Sequence, residues 1–106
     1  MKVLLDENLP HGLRELLVNH EVFTVAYKKW QGLENGALMA RAADAGFDVM
    51  VSIDAGIEYE RNLGDLALSV VLIRAATNTL KDLEPLVPAL TKALDEIGER
   101  ELVHVG

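Results

Sequence analysis

The sequence predicts an α/β protein with a mostly parallel central sheet and helices on both faces. Two observations carry this. Short apolar runs without polar alternation, Val3-Leu4-Leu5 and Val49-Met50-Val51-Ser52-Ile53, end in the acids Asp6 and Asp54. Runs of that kind read as strands covered on both faces. Between them lie segments with helical spacing, giving the order β-α-β-α-β-β-α-β, which folds most simply into a parallel sheet with crossover helices.

The first strand closes on Asp6-Glu7-Asn8-Leu9-Pro10. Asn8 has the character of a helix N-cap, and Pro10 suits a first helical turn. Residues 10–18 therefore read as a short helix with Leu13, Leu16 and Leu17 on one face. Residues 21–25 alternate and are rich in β-formers, which predicts the second strand. Residues 26–33 read as a loop turning at Gly32 and carrying Lys28, Lys29 and Trp30. Residues 35–45 predict a helix, with Asn35 as cap, Leu38, Met39 and Ala42 inward, and Gly46 as its stop. Residues 48–53 predict the third strand, and residues 54–65 a polar, irregular lip with Gly56, Asn62 and Gly64.

Residues 68–73 form another continuous apolar run, the fourth strand. Thr79 caps a helical turn, with Asp82 three residues on. Pro85 and Pro88 each lack a backbone donor, which costs least in a first turn, so the main helix is expected over residues 85–97 with Leu86, Leu90, Leu94 and Ile97 as its stripe. Residues 102–105 predict a last strand. No repeat, linker or low-complexity stretch interrupts this order, and the length of 106 residues suits one domain.

Composition narrows the chemistry. Half the residues are apolar, and there is no cysteine, which excludes disulfides, thiol catalysis and zinc–thiolate sites. No signal peptide is visible and no apolar run is long enough for a bilayer, so a cytoplasmic location away from membranes is expected. The net charge of −7 argues against broad nonspecific binding of nucleic acid and fits a cation site or a basic partner better.

The functional expectation centres on Asp6 and Asp54, the acids that follow the first and third strands. Open α/β sheets bind ligands in the crevice at the carboxyl ends of their strands. Carboxylates gathered there repel unless a hard cation joins them, and Mg²⁺ or Mn²⁺ suits oxygen ligands. The competing reading makes both acids solvated turn formers. Glu7 points to solvent or to the start of the following helix. Glu34 enters the same crevice or supplies favourable charge near a helix N-terminus. Glu58 and Glu60 either complete the cluster or belong to a solvated loop. His11, His20 and His104 lack metal-ligand spacing and read as structural or surface groups. Ser52 has no histidine partner and no G-x-S-x-G elbow around it. No glycine-rich nucleotide loop occurs. Lys28-Lys29-Trp30 either holds phosphate and stacks a base or packs Trp30 against the domain. Arg74, ending the fourth strand, contacts phosphate or pairs with an acid.

Leu5-Asp6-Glu7-Asn8-Leu9-Pro10 resembles the opening of a small bacterial PIN-like family of predicted nucleases, often placed beside toxin–antitoxin systems. The likeness continues through Trp30-Gln31-Gly32-Leu33-Glu34-Asn35-Gly36, residues 47–54, Tyr59 with Asn62-Leu63, and residues 83–88. It implies a three-layer α/β/α sandwich and an Mg²⁺- or Mn²⁺-dependent ribonuclease built on clustered acids. Asp6 matches the first acid of the family and Asp54 a later one. Ala37 stands where the family often has an acid, with Glu34 as the nearest substitute, and Ala55-Gly56 replaces a further acidic or polar pair.

The leading expectation is therefore a metal-dependent endoribonuclease, a toxin of a toxin–antitoxin pair, with Asp6, Asp54 and Glu34 catalytic and Asp6, Asp54 and Glu58 holding the ion. The departures at Ala37 and Ala55-Gly56 favour a second expectation, a binding module without turnover that acts through an antitoxin protein or as a homodimer. A third, a receiver-like phosphoacceptor, needs a lysine at the end of the last strand, where His104-Val105-Gly106 stands instead.

Overall fold

The computed structural model describes residues 1–60 and 67–106. Five strands, β1 (Lys2–Leu5), β2 (Glu21–Thr24), β3 (Val49–Ser52), β4 (Ser69–Ile73) and β5 (Leu102–Val105), form one sheet in the order β2-β1-β3-β4-β5. Every neighbouring pair is parallel. Among the described residues, six α-helices accompany them: α1 (Leu13–Leu16), α2 (Val25–Lys28), α3 (Asn35–Asp44), α4 (Gly56–Glu60), α5 (Leu80–Leu83) and α6 (Val87–Glu96).

Neighbouring residues on the central strands serve opposite faces, which is why the strands carry unbroken apolar runs. Val3, Leu5, Val49, Val51, Val71 and Ile73 meet Leu13 of α1, Leu83 of α5 and Leu90 and Leu94 of α6. Leu4, Met50, Val70 and Leu72 meet Val25 of α2, Leu38, Met39 and Ala42 of α3, and Ile57 of α4. The two layers of helix around one sheet fit a three-layer α/β sandwich. Each fully buried leucine stabilises the fold by roughly 1.5–3 kcal/mol relative to exposure. No helix among the described residues is long and apolar enough to cross a membrane.

The predicted strands and the two long helices match the structure to within a few residues. Three short helices do not. The expected helix over residues 10–18 reduces to the single turn α1, and Asn8 does not cap it. The chain instead leaves β1 through successive turns, with Leu9 N–H on the Asp6 carbonyl, Leu13 N–H on Pro10 and Arg14 N–H on His11. Leu9, Leu13 and Leu17 are the buried set, with Leu16 only half-buried. The loop expected over residues 26–33 begins as α2, because Thr24 ends the strand and its hydroxyl accepts the Tyr27 N–H at 3.0 Å. The irregular lip expected after residue 53 contains α4, started by Asp54, whose carboxylate accepts the Gly56 N–H and whose carbonyl accepts Ile57 N–H. The remainder of that lip, residues 61–66 with Asn62, Leu63 and Gly64, lies outside the described residues, as do the side chains of Tyr59 and Glu60.

The end of α3 agrees with its sequence signal. Gly46 adopts φ +86°, its N–H reaches the Ala43 carbonyl and Phe47 N–H reaches Ala42. Both bonds satisfy carbonyls the helix leaves open. Open space surrounds the position a Cβ would take, so Gly46→Ala is penalised by backbone conformation alone. A loss of about 1 kcal/mol in denaturant unfolding is expected.

Candidate active site

The register of β1 and β3 builds the site. Leu5 pairs with Val51, so the next residue on each strand, Asp6 and Ser52, stand side by side at the carboxyl edge. Asp6 N–H donates to the Val51 carbonyl at 2.9 Å and continues the ladder one residue past β1. The strand order reverses direction at this point, because the chain passes from β1 outward to β2 and then back across to β3. That is the topological switch point where open α/β sheets place ligands.

Ser52 is fully buried and couples the two acids. Its hydroxyl donates to Asp6 Oδ2 at 2.7 Å and accepts the backbone N–H of Asp54 at 3.0 Å. Asp6 Oδ1 accepts the Glu7 N–H at 2.8 Å. Asp54 Oδ2 accepts from Asn35 Nδ2 at 3.0 Å, and its Oδ1 accepts from Gly56 N–H at 2.9 Å. Asn35 is thus the first residue of α3 rather than its cap, and Glu34 occupies the cap position without a side-chain bond to the helix.

Asp6 is 6% exposed, and that burial pushes its carboxyl above the ordinary range. The Ser52 hydroxyl and the Glu7 N–H pull it back down, while the charges of Glu7 and Asp54 push it further up. Among the described residues, none of the compensating partners is a cation. A buried carboxylate with two acidic neighbours is the electrostatic condition that a hard cation relieves.

The other expected residues are placed as follows. Glu7 is exposed, with Oε1 3.4 Å from the Gly32 N–H. Glu34 is exposed at the start of α3. Glu58 does not join Asp6 and Asp54: its Oε2 lies 3.1 Å from His104 Nε2 on β5, at the far edge of the sheet. The expectation that Glu58 completes a metal set fails on that pairing, since the first turn of α4 carries its side chain toward β5. Among the described residues, no three His, Asp or Glu side chains are gathered to hold a metal ion. Arg74 is exposed at the end of β4 and forms no ion pair with either acid. Trp30 packs edge-on against Phe47 with ring centres 5.9 Å apart, so it belongs to the core layer under α3. His20 sits 3.0 Å from Asp95 Oδ1.

The fit of Mg²⁺ or Mn²⁺ rests on the donor chemistry. Asp6 and Asp54 offer only oxygen, each carboxylate oxygen has one hydrogen bond among the described residues and a further lone pair, and Mg²⁺ is commonly held by one or two carboxylates with water completing its shell. Two residues of the site escaped sequence reasoning. The sequence presents Ser52 as a nucleophile without a histidine partner and Asn35 as a helix cap, whereas in the structure both donate to the acids. The signal for Ser52 was available in the Ser-x-Asp spacing at a strand end, which lets one hydroxyl reach the following acid's N–H.

Comparison with models of protein families, with curated proteins and with solved structures finds no match. The likeness to PIN-like nucleases thus rests on the residues quoted for it.

Proposed function

We propose that the chain is a metal-dependent phosphodiesterase of PIN-like type that hydrolyses RNA. The observation that carries this reading is the Ser52 hydroxyl joining Asp6 to the backbone of Asp54 at the switch point of the sheet. Asp6 and Asp54 would hold one Mg²⁺ or Mn²⁺ ion. Such an ion supplies a water of lowered pKa and stabilises negative charge on the phosphoryl group. The chain's own part is to fix the two carboxylates: Ser52 and the Glu7 N–H orient Asp6, while Asn35 and the Gly56 N–H orient Asp54. Glu34, exposed and next to Asn35 in sequence, is placed in a supporting role on that ground. Action as a toxin restrained by an antitoxin belongs to the same proposal.

One observation favours a second reading. No third His, Asp or Glu joins the pair among the described residues, which suits a PIN-like binding module that has lost turnover and works through a protein partner or a second copy. The strand order is also that of receiver domains, but fold likeness alone does not carry function, and no lysine follows β5.

Incubation of purified protein with labelled single-stranded RNA and Mn²⁺ decides between them. The nuclease reading expects cleavage at sub-stoichiometric protein, lost on EDTA addition and reduced at least 100-fold in Asp54→Asn, in line with removal of a charged group that acts in the transition state. Cleavage that persists undiminished in Asp54→Asn would overturn the assignment, and intact RNA under all metal conditions would favour the binding module.

A further inference from the structure

A second feature lies at the same edge of the sheet, across β1 from Asp54. The loop after β1 with α1 on one side, and the end of β2 with α2 on the other, border an open cleft of about 460 Å³. His11, Arg14 and Glu15 line one wall, and Thr24 and Tyr27 the other.

Three properties specify what the cleft takes. Tyr27 is 69% exposed although it follows Phe23 in the aromatic layer, so an unshielded ring borders the cavity. Arg14 is held in place by its Nε–H, which donates to the Val22 carbonyl at 2.7 Å and leaves the terminal nitrogens as its remaining donors. His11 adds an imidazole, exposed on the same wall. An aromatic face beside a fixed guanidinium suits a base stacked next to a phosphate. Glu15 sets the charge limit. One guanidinium and one carboxylate leave the wall with no net charge, which disfavours the concentrated charge of a triphosphate; contact with a singly charged phosphodiester then rests on the hydrogen-bonding fork of Arg14. Position agrees with this. Thr24 pairs with Leu5, the residue before Asp6, and neighbouring strands lie about 4.8 Å apart, so the cleft begins about one strand from the acids.

We propose that this cleft seats one nucleotide of a single-stranded RNA, with its base on Tyr27 and its phosphate against Arg14 and His11. The inference rests on the reading of Asp6 and Asp54 as a phosphodiester site and adds to it the point where the strand is held. Tyr27 and Arg14 position the strand; neither touches the reacting atoms. Gly12 shapes the same wall, since a Cβ there would come within 2.9 Å of Leu80.

The test is fluorescence anisotropy of a 5′-fluorescein single-stranded RNA hexamer with metal-free protein in EDTA, so that no cleavage occurs. Wild type is expected to bind. Tyr27→Ala is expected to weaken binding at least about 5-fold, as loss of one stacked base does, and Tyr27→Phe to retain it. Arg14→Gln should weaken binding and flatten its salt dependence by about one phosphate contact. Tyr27→Ala changes an exposed side chain, so the test survives if Arg14→Gln folds poorly. Free uridine 5′-monophosphate should bind less tightly than the hexamer; tighter binding would overturn assignment to a strand. Unchanged affinity in Tyr27→Ala, or no binding by wild type at millimolar protein, would overturn the cleft itself. The two readings separate by adding Mn²⁺. RNA bound through Tyr27 but never cut leaves the cleft and removes the nuclease. Cleavage with the same KM in Tyr27→Ala leaves the nuclease and removes the cleft.

Discussion

Asp6→Asn should abolish metal-dependent cleavage and, in metal-free protein, raise the melting midpoint. Both effects come from the same buried carboxylate. Asn has the shape of Asp, so its oxygen still accepts the Glu7 N–H while its amide donates to the Ser52 oxygen, reversing that bond, but it carries no charge to bind a cation. Folding raises the Asp6 pKa, so the folded chain holds that proton more tightly than the unfolded one. Stability therefore falls as pH rises from the ordinary carboxyl range through the raised value, and stays lower above it. At neutral pH wild type bears that penalty and Asp6→Asn does not. A higher midpoint than wild type is therefore expected at neutral pH. The gain should shrink toward zero as pH is lowered and Asp6 becomes protonated. A variant less stable than wild type at neutral pH would show that the ionised carboxylate is already well compensated within the protein.

Ser52→Ala should be the most destabilising single change at the site. The residue is fully buried and its hydroxyl has two partners. Alanine leaves Asp6 Oδ2 without its donor and the Asp54 N–H without its acceptor. Unsatisfied buried polar groups cost about 1–3 kcal/mol each, more when charged. A total near 2–4 kcal/mol is expected, which for a chain of this size lowers the midpoint by about 10–20 °C. The lost hydroxyl also removes the main influence holding the Asp6 carboxyl down, so its pKa rises further. On the proposed function, the acidic limb of the cleavage profile then moves to higher pH. Wild-type stability in Ser52→Ala would mean that the two acids are not organised through this hydroxyl.

How far the sequence revealed these features depends on the distance over which each is determined. The central strands were legible because burial on two faces forbids polar residues along them, which leaves a local mark at Val3-Leu4-Leu5 and Val49-Met50-Val51. The stop of α3 at Gly46 was equally local. The one-turn helices were less so. Thr24 looks like a β-former continuing the pattern of Val22 and Phe23, yet its hydroxyl caps α2. Gly12 lies where a helix was expected to continue, but its place against Leu80, far along the chain, shapes that wall. At the site, Asp6 and Asp54 were legible as acids ending apolar runs. Their connection through Ser52 was not, because it depends on the register that sets Leu5 beside Val51. Glu58 misled for the same reason. Its position shortly after Asp54 says nothing of the turn that directs it to His104.

Titration of Mn²⁺ into the metal-free wild-type protein, followed by thermal unfolding with Asp6→Asn in parallel, tests the central claim most directly. A ligand that binds the folded chain alone raises its stability by mass action, by about 2.7 kcal/mol at a hundredfold excess over Kd. The account predicts a saturable upward shift in wild type of roughly 10 °C or more at that excess, and none in Asp6→Asn. An equal shift in both proteins, or none in either, would contradict the assignment of Asp6 and Asp54 as a cation site.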